Sequence, residues 1–180
     1  MKKVLLIVLI AVVLLGVGGY AFIQYSLKNT KQYSPEETVE YQADGADISV
    51  FYNRPSKKGR EIFGELVPYG EWWRTGANEP TQITLTKALE FSDGKTLPPG
   101  EYSIVTIPQA DEWTVVFNGE IPMWGTIYDP GADVLRVNAP ATTLPETKEI
   151  FTIDFEQDST QHYLTFAWDR TKVAVPFEVK

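Results

Sequence analysis

The stretch FTIDFE, residues 151–156, decides the fold class of this 180-residue chain. Apolar side chains at Phe151, Ile153 and Phe155 alternate strictly with polar ones. Successive side chains of an extended strand point to opposite faces of a sheet, so a period of two marks a strand. The stretch therefore predicts a β-strand with one buried face and one face in water, which is typical of antiparallel sheets.

The same period recurs on both sides of this stretch and indicates further strands. The segments with alternating apolar residues are 39–41, 48–52, 83–85, 164–168 and 173–179. Segments 103–107 and 113–117 are apolar on both faces, as expected of central strands that are covered on both sides. No segment after residue 23 has a convincing helical period. The pattern predicts an all-β chain.

Turn sequences separate these segments at short intervals. Asp44-Gly45 is a dipeptide of the kind that closes β-hairpins. Further turn sequences occur at 93–94, 99–100, 118–119 and 129–131. Short strands at this spacing predict an antiparallel sandwich or barrel rather than βαβ units.

Composition and charge exclude several classes of function. The chain has no cysteine, which removes disulfides, thiolate nucleophiles and cysteine-ligated metals. Its one histidine, His162, leaves little scope for a histidine-rich metal site or a conventional hydrolase triad. A net charge of −8 disfavours a nucleic-acid partner. No G-x-S-x-G, H-E-x-x-H or phosphate-binding glycine loop is present, so we expect no catalytic residue, metal or cofactor.

The N-terminal segment Val4–Ile23 carries twenty residues without a charge. At about 1.5 Å per residue its length matches the hydrocarbon core of a bilayer. We expect residues 1–23 to form a transmembrane anchor with residues 4–23 in the membrane, and a cleaved signal peptide is the alternative. The short N-terminal tail favours a single-pass N-in, C-out orientation with the following domain outside the cytoplasm, whereas signal cleavage would give a secreted or periplasmic protein. Residues 24–37 are polar and predict a tether, and residues 38–180 form the domain.

Residues 53–80 interrupt the strand pattern with 28 residues of little regular structure. A basic cluster, Arg54 to Arg60, opens the segment, and the run WWRTGANE occupies residues 72–79. Long irregular stretches inside compact domains are uncommon and often functional. We therefore place the candidate site in this segment, which we call the motif loop.

Four stretches carry a resemblance to a known family: RPSKKGREIFGELVPYGEWWRTGANEPT, LPPGEYSIVTIP, DEWTVVFN and WGTIYDPGADVLRV. Together they resemble the bacterial family DUF2911 over roughly residues 49–179, although Trp72 stands where the family more often has a smaller aliphatic residue. The resemblance implies a β-sandwich in secreted or envelope-attached proteins and supplies no reaction. The expected fold is thus a jelly-roll-like antiparallel β-sandwich of about nine or ten strands, preceded by one transmembrane helix.

The run WWRTGANE admits two interpretations. In extended backbone, Trp72 and Arg74 point to one face and Trp73 to the other. In the first interpretation Arg74 and Glu79 form a bidentate ion pair that fixes a structural corner. In the second, Arg74 receives a ligand carboxylate or phosphate and Asn78 forms a hydrogen bond beside it.

Three hypotheses for the function follow from this run. The first is a binding module for a glycan or an acidic envelope ligand, because aromatic faces and a forked cation suit both. The second is a hydrolase-like enzyme that uses Glu79 with Arg74. The third is a structural or protein-interaction role, with partners that the sequence does not identify. The candidate ligand-binding residues are Tyr69, Trp72, Arg74, Asn78 and Glu79, with Trp124 and Tyr128 as walls.

The remaining candidates carry weaker signals. We expect His162 to begin a strand on its wet face, and the tryptophans at 113, 124 and 168 to lie in the core or at a sheet edge. Asp129 and Asp133 flank a turn, but calcium needs more oxygen ligands than this spacing offers. The basic cluster is typical of a solvated loop.

Overall fold

The computed structural model describes residues 2–180, apart from the side chains of Lys2, Leu5, Val8, Leu27 and Lys28. The described chain divides into two compact units, one ending at Tyr33 and the other formed by Ser34–Lys180. The second unit, the β domain, holds nine strands: β1 Glu36–Ala43, β2 Ala46–Asn53, β3 Thr81–Leu85, β4 Leu89–Phe91, β5 Thr96–Leu97, β6 Gly100–Pro108, β7 Glu112–Asn118, β8 Asp133–Gln157 and β9 His162–Val179. A short 3-10 helix, Pro130–Ala132, precedes β8.

The first unit is a single helix, α1, over Lys2–Tyr33. Its segment Leu9–Tyr33 is long and apolar enough to span a membrane, and large apolar side chains described there, such as Leu15, Phe22 and Tyr25, are exposed. The helix continues through residues 24–33, most of the segment expected to be a polar tether. Only two residues, Ser34 and Pro35, separate α1 from β1.

The nine strands form one open sheet in the order β1-β2-β3-β6-β7-β8-β9-β4-β5. Every neighbouring pair is antiparallel. Asp44 and Gly45 form the predicted hairpin turn between β1 and β2, with φ angles of 49° and 74°. Positive φ at both central residues is what a tight hairpin turn requires.

The sheet folds over at the long strand β8, which pairs with β7 through residues 133–140 and with β9 through residues 141–157. The two layers then face each other. The ring of Tyr41 on β1 stacks on Phe155 of β8 at 4.7 Å, and the Tyr52 hydroxyl on β2 donates to the Ile153 carbonyl at 3.2 Å. Residues from both layers share one apolar core. The predicted antiparallel all-β fold, with about nine strands after one apolar helix, is confirmed.

The strand predictions differ from the structure in two places. The first half of β8 was not predicted, although Leu135, Val137 and Ala139 are buried there in alternation. Small Ala139 and the following Pro140 weaken the apolar pattern of this half. The strands predicted at 164–168 and 173–179 form one strand, β9, in which Asp169 has a φ of 53°. The strand continues through this residue.

Candidate functional site

Trp73 fixes the motif loop to the sheet. Its backbone exchanges two hydrogen bonds with Thr106 of β6, at 2.7 and 2.9 Å, outside the regular strand ladder. Its indole packs into an aromatic cluster of the core, parallel to Trp168 at 5.8 Å and edge-on to Phe151 at 5.0 Å. Trp73 therefore points into the core, as the alternation of the run predicts. This placement directs its neighbours Trp72 and Arg74 away from the core.

Trp72 lies at the surface against Tyr128. The side chain of Trp72 is 41% exposed, and its ring is 5.3 Å from that of Tyr128 with a tilt of 44°. The Tyr128 hydroxyl donates to the Asp133 carboxylate at 2.9 Å and accepts from Arg136. Burial, followed by the hydrogen bond with Asp133, raises the pKa of Tyr128 to about 12. One predicted binding residue, Trp72, thus contacts one predicted wall, Tyr128, and the Tyr128 hydroxyl is bonded to Asp133 and Arg136.

Arg74 is half-buried, and its Nε is fully buried without a hydrogen-bond partner. Within the part of the chain that the structure describes, its guanidinium forms no hydrogen bond and no ion pair. Burial lowers the pKa of this guanidinium below its usual value. Of the guanidinium nitrogens only Nε is buried without a partner, and a buried donor in this state is uncommon in native proteins.

Two other buried donors lack a partner among the described residues, and neither resembles Arg74. Arg54 also has a buried, unpartnered Nε, but its guanidinium forms an ion pair with Glu37. The Trp113 indole nitrogen lies within the aromatic cluster, where its ring packs on Phe63 at 4.9 Å. Arg74 alone of these three combines a full charge with no counter-ion among residues 2–180.

The segment 121–127, which we call the covering segment, packs over the stem of Arg74. A Cβ atom at Gly125 would lie 2.9 Å from the Arg74 Cδ and 2.9 Å from the Asn78 carbonyl oxygen. Only glycine permits this approach. The Gly125 amide donates to the same Asn78 carbonyl at 3.0 Å. Trp124, the residue before Gly125, is half-buried.

Asn78 and Glu79 belong to a separate polar cluster with Asn53, the last residue of β2. Asn78 Nδ2 donates to Asn53 Oδ1 at 3.2 Å and to the Ser34 carbonyl at 3.4 Å. Asn53 Nδ2 in turn donates to the Glu79 carboxylate at 3.0 Å. The predicted Arg74–Glu79 ion pair is absent from the salt bridges of the described residues. The interpretation of a corner held by that pair was wrong, because a buried asparagine takes its place.

Thr75 and Gly76 complete the packing of the run. Thr75 is buried and donates to the Thr106 hydroxyl at 3.1 Å, while its carbonyl accepts from Thr81 at 2.7 Å. Gly76 has a φ of 152°, and a Cβ atom there would lie 2.9 Å from the Asn53 carbonyl oxygen. Residues 75–79 are therefore a tightly bonded structural element that holds Arg74 in place.

Tyr69, the remaining predicted site residue, is 43% exposed and lies against Gly64 of the same loop. No ring contact or hydrogen bond within residues 2–180 joins it to Trp72 or Arg74. The structure thus brings Trp72 against Tyr128 and places Gly125, the neighbour of Trp124, against Arg74. Asn78 and Glu79 are bonded to Asn53 instead, and Tyr69 lies against Gly64.

The weaker candidates have structural partners. His162 begins β9 as predicted, but its side chain is only 12% exposed: it bonds Tyr41 at 2.8 Å and stacks on Phe177. The expected wet position was wrong, since the opposite layer of the sandwich covers the ring. In the basic cluster, Lys57 pairs with Asp169 at 2.7 Å. No cluster of described acidic or histidine residues could hold a metal ion.

Sequence reasoning missed three features of this region. Asn53 gave no signal beyond its position at the end of a strand. Gly125 gave no signal of its own, although its lack of a side chain is what allows close approach to Arg74. The covering segment also carries three exposed apolar side chains, Ile121, Met123 and Ile127. Three apolar residues between two predicted strands were a signal that could have been used.

Comparison with known proteins identifies one family. Residues 34–177, almost the whole β domain, match the model of a family described as "Protein of unknown function (DUF2911)". No curated protein and no solved structure matches the chain.

Proposed function

We propose, from the premise that this chain belongs to the DUF2911 family, that its β domain is a binding module for a ligand with an acidic group. Arg74 would receive that group, and the aromatic pair of Trp72 and Tyr128 would form one wall. The motif loop and the covering segment both lie inside the matched residues 34–177. The proposal concerns binding and assigns no reaction.

The unpaired guanidinium of Arg74 is the observation that carries this proposal. The buried Nε without a partner costs free energy that a neutral residue at this position would avoid. An incoming anion would supply the missing partner through charge-assisted hydrogen bonds, which are stronger than neutral ones. Arginine suits this task because its planar fork matches a carboxylate or phosphate.

The aromatic surroundings support binding as well. Trp72 is partly exposed and held against Tyr128, whose hydroxyl is already bonded to Asp133. A rigid, partly exposed aromatic pair next to a cation is a common arrangement in ligand sites. The ligand would thus meet one charged group and one flat apolar wall.

Hydrolysis by Glu79 has less support from this geometry. Its carboxylate accepts a hydrogen bond from Asn53, which is itself fully buried. Arg74 does not pair with Glu79 and so is not placed to stabilise charge beside it. A general acid or base must be free to exchange the proton that it transfers, and this carboxylate is already engaged by Asn53.

A protein-interaction role is the second candidate, and one observation favours it. Met123 is 92% exposed and Ile127 60% exposed on the covering segment. Contiguous exposed apolar side chains mark interaction sites of several kinds. A protein partner would cover the same side chains as a bound ligand, namely Met123 and Ile127. Variants at these two residues therefore bear on both roles.

Anion titration of the full chain in lipid nanodiscs tests the proposal. Acetate, glucuronate, 3-phenylpropionate and phosphate would each be titrated by calorimetry, with empty nanodiscs as the blank and glucose as the uncharged control. We expect saturable binding of at least one anion by the wild type, its loss in Arg74→Met, and its retention in Arg170→Met, an exposed arginine on β9. The absence of binding by all four anions, or unchanged binding by Arg74→Met, would overturn the proposal.

We further propose that α1 anchors the β domain outside the cytoplasm, with the N-terminus inside. The length and apolar surface of α1 support an anchor, and the acidic net charge of the chain disfavours contact of the β domain with anionic lipid. Intact-mass measurement of the mature protein should show that the N-terminal residues are retained in the membrane fraction. Loss of about the first 20 residues would instead indicate a cleaved signal peptide.

A further inference from the structure

We propose that the ligand of Arg74 is an amphipathic monoanion, namely a single carboxylate carried on an apolar or aromatic body. This inference rests on the proposed binding function and narrows its ligand class. It is carried by three properties of the site: the number of available cations, the engagement of its polar groups, and the apolar side chains of the covering segment.

One available cation points to one negative charge. Arg136 lies near Tyr128, but it forms an ion pair with Asp133 at 2.6 Å. In the basic cluster, Arg54 pairs with Glu37 and Lys57 with Asp169. Arg60 of the same cluster donates to the carbonyls of Lys57 and Ser56, so within the described residues Arg74 is the cation that lies against the covering segment without a partner. A phosphate dianion is normally met by more than one positive charge, whereas a carboxylate matches a single guanidinium fork.

The polar groups that would recognise a sugar are already engaged. Asn78 donates to Asn53 and the Ser34 carbonyl, and the Glu79 carboxylate accepts from Asn53. The Tyr128 hydroxyl is bonded to both Asp133 and Arg136. A glycan brings many hydroxyl groups, each of which loses water on binding and must find a partner. These engaged groups disfavour a polar ligand body.

The covering segment and Trp72 leave apolar side chains exposed. Ile121, Met123 and Ile127 are 37%, 92% and 60% exposed, and Trp72 is 41% exposed. Met123 and Ile127 lie two residues from Gly125, whose backbone touches the Arg74 stem, so their Cα atoms are at most about 7 Å along the chain from Gly125. An apolar body attached to the carboxylate would cover these side chains, and burying apolar surface is favourable.

Matched ligands separate the acidic group from the apolar body. The full chain in lipid nanodiscs would be titrated with 3-phenylpropionate, acetate, 3-phenylpropanol, glucuronate and phenyl phosphate, with empty nanodiscs as the blank. We expect 3-phenylpropionate to bind about tenfold or more tightly than acetate, because its apolar body is buried. We also expect 3-phenylpropionate to bind more tightly than 3-phenylpropanol, which lacks the charge. It should likewise bind more tightly than phenyl phosphate, which carries excess charge.

Variants test whether Arg74 binds the carboxylate of the ligand and whether the covering segment binds its apolar body. Arg74→Met should abolish the preference of 3-phenylpropionate over 3-phenylpropanol. The double variant Met123→Ser, Ile127→Ser should bind 3-phenylpropionate about threefold to tenfold more weakly than the wild type, with an affinity closer to that for acetate. Ile150→Ser, which changes an exposed isoleucine on β8, is the matched control and should have no effect.

The outcomes distinguish this inference from the proposed function. If acetate or glucuronate binds as tightly as 3-phenylpropionate and depends on Arg74, the binding function stands and the amphipathic ligand is wrong. Tighter binding of phenyl phosphate would overturn the carboxylate assignment in the same way. If no acid binds, both proposals fall. Equal binding of 3-phenylpropionate and 3-phenylpropanol would identify an apolar surface for which Arg74 is irrelevant, and would also overturn both.

Discussion

Gly125 lies directly against Arg74, since a Cβ atom at Gly125 would be 2.9 Å from the Arg74 Cδ. The covering segment and the motif loop are distant in sequence and meet at this point. The same glycine bonds the Asn78 carbonyl through its amide. The environment of Arg74 therefore depends on the absence of a side chain at position 125.

Gly125→Ala should displace the covering segment from Arg74. The added methyl group would meet two backbone oxygens as well as the arginine stem, and the backbone must shift to relieve such overpacking. We expect a loss of about 1–3 kcal/mol in the free energy of unfolding, together with weaker binding of 3-phenylpropionate. Urea unfolding followed by tryptophan fluorescence measures the first, and calorimetry the second.

Gly119→Ala is the matched control for this prediction. A Cβ atom at Gly119 would be 3.4 Å from Val134 and 3.5 Å from the Ala132 carbonyl oxygen, which is close to ordinary contact. Its free energy of unfolding should change by no more than about 0.5 kcal/mol. Equal effects of the two substitutions would show that close approach at Gly125 has no special role.

Asn53→Ala should destabilise the β domain strongly. Asn53 is fully buried and bonds both Asn78 and Glu79, so its removal leaves two polar groups without this partner. Leaving buried polar groups unsatisfied predicts a loss of about 2–4 kcal/mol in the free energy of unfolding, measured with urea. The control Asn138→Ala changes an exposed asparagine of β8, and its free energy of unfolding should stay within about 0.5 kcal/mol of the wild-type value. A loss for Asn53→Ala no larger than this control would refute the assigned role of the polar cluster.

Stability should fall at alkaline pH through Tyr52. Burial raises the pKa of Tyr52 to about 12, above its usual value near 10. A pKa that is raised in the folded state gives stability that is complete below about pH 10 and is lost as the pH rises towards 12. Urea unfolding at intervals from pH 9 to 12 should show this loss, and Tyr52→Phe should make it smaller. An identical pH dependence in Tyr52→Phe would assign the loss to other tyrosines.

The sequence predicted those parts of the fold that depend on residues close together in the chain. The alternation of FTIDFE predicted the buried face of β8, and Asp44-Gly45 predicted the first hairpin, because a strand period and a turn dipeptide act over a few residues. The inward direction of Trp73 followed from the same two-residue rule. These properties need no knowledge of distant parts of the chain.

The candidate site was only partly readable, because its partners come from distant segments. Opposite charges at Arg74 and Glu79 suggested an ion pair, whereas Asn53, 26 residues before Glu79, bonds that carboxylate in the structure. The cover over Arg74 comes from Gly125, and the cover over His162 comes from Tyr41. The way that the sheet folds over determines which side chains of the two layers are in contact. A local sequence pattern does not encode these contacts.

The free energy of unfolding of Arg74→Met tests most directly whether Arg74 is held unpaired for a ligand. All five tryptophans lie in the β domain, so urea unfolding followed by fluorescence reports on this unit. If Arg74 has no structural partner, the uncharged variant should be as stable as the wild type or more stable by about 1 kcal/mol, while losing anion binding. A loss of about 3 kcal/mol or more is expected when one member of a buried ion pair is removed, and that result would contradict the account.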